Sequence, residues 1–113
     1  MGDIDKQIAE KVMGWSVVEV PDDGSYIIKE NNFRYPQYPF DPSTNISRAW
    51  LVVEKMRELG YSINIEAQQK GKWRCNIILI GNEWTTRIET ADEDTAPMAI
   101  CLAALQALEV KGE

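Results

Sequence analysis

An α+β domain is predicted, a layered α/β sandwich with an antiparallel sheet packed by helices in the order α-β-β-α-β-β-β-α. Three observations predict it. Apolar residues recur every third or fourth position over 46–59 and again over 95–110, the spacing of a helix with one buried side. Between them, over 61–90, apolar and polar residues alternate as they do in half-buried strands. The chain has 113 residues, enough for one domain with its own core and too few for a second, so residues 1–113 are read as a single domain.

The elements follow in order. Residues 3–13 form a short helix, with Asp3 or Asp5 at its positive end and Ile4, Ile8 and Val12 along one side. Gly14 ends it in a left-handed conformation. Residues 15–20, with Val17, Val18 and Val20, and residues 26–29 make a hairpin across the turn Pro21-Asp22-Asp23-Gly24. Residues 31–45 are irregular. Prolines at 36, 39 and 42 oppose helix and interior strand, and Phe33, Tyr35, Tyr38 and Phe40 make the stretch too apolar for a linker.

The helix 46–59 carries Ile46, Ala49, Trp50, Val53, Met56 and Leu59 as its apolar stripe, which places Trp50 in the core. Ser43, Thr44 or Asn45 caps it and Gly60 closes it. A three-stranded antiparallel meander comes next. Residues 61–67 are half-buried, and the polar link 68–72 contains Gly71. Residues 73–80 are buried on both faces at the far end, as in a central strand, and residues 84–89 return after a Gly81-Asn82 turn. Asp94 or Thr95 caps the last helix, Pro97 lies in its first turn, and Met98, Cys101, Leu102, Leu105 and Leu108 form its stripe. The alanines between them permit close packing.

Composition excludes several chemistries. With no histidine, Ser-His-Asp, Cys-His and zinc-histidine sites cannot form, and two cysteines are too few for a thiolate zinc site within one chain. The net charge of −6 argues against nucleic acid or a membrane surface as partner. Both ends of the chain are acidic and the middle is mildly basic. The N-terminus lacks the order of a signal peptide, position 6 is Lys6 rather than the Ser or Thr of a myristoylation motif, and the longest apolar run is too short for a bilayer. A cytoplasmic location is expected, with Cys75 and Cys101 free and buried.

Catalysis is not expected. Asp92, Glu93 and Asp94 are acidic neighbours that favour a helix dipole without any metal, and Asp22-Asp23 is turn chemistry. No cofactor is expected. A binding surface is the remaining candidate. The loop at 31–45 ends at a helix N-terminus, where Ser43, Thr44 and Asn45 offer hydroxyls and free N–H groups to a phosphate or carboxylate, while Tyr35, Tyr38 and Phe40 offer rings for stacking. The alternative for this loop is a cover over one edge of the core. The helix–strand–strand–strand–helix order of 44–109 matches double-stranded-RNA-binding domains, but Asp92, Glu93, Asp94 and Thr95 stand where that family places phosphate-gripping lysines.

Three blocks resemble the phage ABA sandwich domain family. They are Ile8-Ala9-Glu10-Lys11-Val12-Met13-Gly14-Trp15, the stretch from Tyr38 through Pro42-Ser43-Thr44 and Ile46 to Ala49-Trp50, and Asp94-Thr95-Ala96-Pro97-Met98-Ala99-Ile100-Cys101 followed by Ala103-Ala104-Leu105. The resemblance implies a phage or prophage protein in a bacterial host and a layered α/β arrangement, and it transfers no catalytic residues. The leading expectation is an accessory protein that binds and sequesters a small nucleotide-like ligand or a host defence component. The alternative is a structural or assembly protein whose aromatic loop is a protein–protein or homo-oligomer interface. A duplex-RNA module stands third.

Overall fold

The N-terminal helix, α1 (Asp3–Gln7), widens into a π-helical turn over Ile8–Val12, where the Met13 N–H reaches the Ile8 carbonyl at 3.0 Å. Gly14, at φ +75°, reverses the chain as expected, and the Trp15 N–H closes the end on the Ala9 carbonyl. Ile8 and Val12 are buried and Ile4 packs beside them, so the predicted apolar side is the inner one. The computed structural model describes residues 3–20, 24–29, 32–34, 40–80 and 86–111.

Among the described residues, six strands form two antiparallel sheets, one more strand than the sequence suggests. The first sheet has the order β1 (Ser16–Val20), β2 (Gly24–Lys29), β3 (Asn32–Arg34). The strand β3 falls inside the stretch read as irregular, and Phe33 pairs with Ile28. The physical reason is simple. The first proline of that stretch is Pro36, so nothing before it lacks an N–H for the ladder. The turn residues Pro21, Asp22 and Asp23 lie outside the described residues, as do Tyr35 to Pro39 and the Gly81-Asn82 turn with Trp84.

The second sheet is the predicted meander, β4 (Ser62–Ala67), β5 (Trp73–Ile80) and β6 (Thr86–Glu93). The strand β6 runs to Glu93, past the predicted end at 89. Asp92 and Glu93 are therefore strand residues rather than part of a helix N-terminus, a correction the register makes plain through Arg74↔Asp92 and Trp73↔Glu93. Alternation sorts the faces. Ile63, Ile65, Cys75, Ile77 and Ala91 turn to the core, while Ser62, Asn64, Thr90 and Asp92 turn outward. Ile78 is half-buried, so the outward face of β5 is not sealed in the way a fully enclosed strand requires.

Helix α2 (Ile46–Glu58) is capped by Asn45, whose side-chain oxygen accepts the Arg48 N–H at 3.2 Å. Gly60, at φ +100°, ends it, and the Tyr61 N–H returns to the Met56 carbonyl. Helix α3 (Ala96–Lys111) is capped by Thr95, whose hydroxyl lies 3.4 Å from the Met98 N–H. Its predicted stripe is too narrow. Ala99, Ile100, Ala103, Ala104 and Ala107 are buried together with Cys101 and Leu105, because α3 touches all three strands of the second sheet, α2 and the N-terminal helix. The alanines allow that close approach. The first sheet joins this assembly where β1 meets the π-helical turn.

Candidate functional site

Two helices begin at the same place. The first turns of α2 and α3 flank an open groove of about 580 Å³ above the end of β4 and the start of β5. Ile46 and Trp50, four residues apart and so on one side of α2, make one wall. Ala96 and Pro97 make the other, and Ile65 and Trp73 form the floor. The register explains the floor. Ile65 lies opposite Cys75, and Trp73, two residues before Cys75, shares that face.

Ile46 and Trp50 are each 52 % exposed. This corrects the placing of Trp50 in the core. The buried side of α2 is Ala49, Val52, Val53 and Met56. The run Trp50-Leu51-Val52-Val53 held the signal, since four consecutive apolar residues cover every side of a helix and some must face outward.

A polar cluster adjoins the groove. Lys72 pairs with Asp94 at the rim, and Arg74 pairs with Asp92, its Nε 2.6 Å from Oδ1 and its second nitrogen 3.1 Å from Oδ2. The Arg74 hydrogen bond holds the Asp92 carboxyl below its ordinary value, and the Asp94 hydrogen bond raises the Lys72 ammonium. Lys72 and Arg74 are thus both held by carboxylates. A phosphate backbone would have to displace both. Among the described residues no cluster of cysteines and carboxylates has the arrangement of a metal site.

The loop candidates are placed differently from one another. Phe40 is buried and meets Trp15 edge to face, with ring centroids 5.0 Å apart. Ser43 is buried, and its backbone N–H donates to Asp5 Oδ1 at 2.9 Å. A carboxylate does occupy this turn, and it is the chain's own. Thr44 is exposed, with its hydroxyl 3.4 Å from the Asp41 carbonyl, and Asn45 is spent on the α2 cap. Tyr35 and Tyr38 lie outside the described residues. The described part of the loop ends where the groove begins, at Ile46.

Both cysteines are free and buried, as expected, and burial pushes each thiol up to about 12. No helix among the described residues is long and apolar enough to cross a membrane. The sequence profile of the phage ABA sandwich domain matches residues 6–105. Comparison with curated proteins and with solved structures finds no match.

Proposed function

The chain belongs to the phage ABA sandwich domain family, and from that premise we propose that it is a phage or prophage accessory protein that acts by binding a host or phage protein, with no catalytic step of its own. The observation that carries this reading is the groove between the starts of α2 and α3, with Trp50 half-exposed on its wall. A large aromatic side chain held on a rigid helix beside an apolar cleft is the type of residue that dominates protein interfaces.

The lining also chooses among ligand classes. A nucleotide base needs donors and acceptors placed against its edges. Ile46, Trp50, Ile65, Trp73, Ala96 and Pro97 offer mostly carbon, and the one charge in the lining, Asp94, is a carboxylate already paired with Lys72. The groove suits apolar side chains of a protein segment, such as part of a host defence component, better than a small nucleotide.

The test compares wild-type protein with Trp50→Ala as bait in phage-infected cells, with quantitative mass spectrometry of what is retained. A partner retained by the wild type and lost with Trp50→Ala supports the groove. Equal retention by both proteins overturns it. A nucleotide adduct on the wild type in native mass spectrometry, lost with Trp50→Ala, replaces the protein partner with a small ligand.

A further inference from the structure

The two edges of the second sheet are unlike. The strand β6 carries Arg87, Glu89, Asp92 and Glu93, charges of the type that keep an edge from pairing with another chain. The strand β4 lacks them. Its residues 62–65 are Ser-Ile-Asn-Ile, with no charge and no proline, exposed and half-buried in turn, an alternation that stops at Glu66. Its one charge, Glu66, sits near the end. Among the described residues β4 pairs with β5 alone, so one side of its backbone has no strand beside it. Ile63 and Ile65 are only half-buried.

We infer that β4 is the pairing edge of a homodimer, in which two copies join their second sheets antiparallel into one six-stranded sheet. The sequence of β4 is complementary to itself in one register above others. With the two-fold axis at Asn64, each Ile63 faces the Ile65 of the second copy on the core side. Asn64 faces Asn64, and Ser62 faces Glu66 on the outward side. This register makes two Ile–Ile pairs and brings no like charges together. Centring on Ile65 leaves one Ile–Ile pair and sets Ile63 against Ala67. Centring on Glu66 sets two carboxylates face to face. A second copy of this chain therefore fits the edge by both charge and apolar pairing.

This interface shares Ile65 with the groove floor but does not use Trp50, so Trp50→Ala tests the groove and Asn64→Lys tests the edge. The experiment is native mass spectrometry and light scattering on the purified chain across a concentration series, with three variants. Wild type is expected as a dimer at micromolar concentration. Asn64 is exposed, so Asn64→Lys keeps the fold by circular dichroism while placing two ammonium groups on the axis, and it is expected to weaken the dimer at least about tenfold. Asn64→Cys is expected to form a disulfide-linked dimer on mild oxidation, because directly opposed Cα atoms lie about 4.5–5.5 Å apart, within the span a disulfide bridges. Ser62→Cys is expected to stay single, because its counterpart is four residues away along the strand, about 14 Å. A wild-type monomer at every concentration overturns the inference. So does a dimer unaffected by Asn64→Lys, or equal cross-linking of the two cysteine variants.

Discussion

Asp5 and Ser43 are 38 positions apart in sequence and joined by a 2.9 Å hydrogen bond, backbone N–H to carboxylate, in the protein interior. This bond fixes the N-terminal helix against the turn that leads into α2. It also fills the anion-accepting position that the turn would otherwise offer to a ligand. Asp5→Ala is expected to cost about 1–3 kcal/mol, because a buried donor loses its partner. Asp5→Asn, which keeps an acceptor, is expected to cost less. Urea unfolding of the two variants checks the order.

Trp50 and Met56 lie on the same helix with opposite consequences. Trp50 is half-exposed, so Trp50→Ala should change stability by about 1 kcal/mol or less. Met56 is fully buried, and Met56→Ala should cost about 2–5 kcal/mol through lost contacts and a cavity. Thermal unfolding of both variants separates the exposed wall of the groove from the core side of α2.

Cys75 and Cys101 should resist thiol reagents at pH 8 until the protein unfolds. Burial is the main cause of their raised values, with the Asp5 carboxylate adding to Cys101. Between about 9 and about 12 the unfolded chain gives up thiol protons that the folded chain retains. Stability therefore has its full thiol contribution below about 9 and declines as pH rises through that window. Denaturant midpoints at pH 8 and pH 10, for wild type and for Cys75→Ala/Cys101→Ala, check the sign; the double variant should show the smaller alkaline loss.

Gly60 has φ +100°, and a Cβ placed there meets no atom within 4 Å. Gly60→Ala is thus a conformational change without a clash, expected to cost about 1–2 kcal/mol. A melting point lowered by a few degrees, with unchanged secondary structure, is the expected result.

Much of the second sheet and the helices could be read in the sequence because one period governs each element. Alternation set the strands β4 and β5, and Gly14 and Gly60 marked two helix ends. The strand β3 was hidden because its three residues are too few for a period and lie beside prolines that dominate the stretch. The extent of β6 was hidden because Asp92 and Glu93 look like helix-start residues, and only the pairing with Arg74 identifies the strand. The groove was hidden because Trp50 fits an apolar stripe. Which side of α2 meets α3 depends on packing between distant segments, and no local pattern encodes it.

The encirclement of α3 sets the order in which the domain can be completed during synthesis. Every other part of the core leaves the ribosome first: the N-terminal helix, both sheets and α2. The N-terminal helix, the second sheet and α2 cannot bury their inner sides fully until 96–111 follow, since that helix is the surface they share. At roughly 5–20 residues per second, the nascent chain spends several seconds with α2 formed and its inner side unshielded. A stop codon between β6 and α3 would leave the core of the domain without its centre. The product would be a chain for proteases to clear, not a shortened version of the domain.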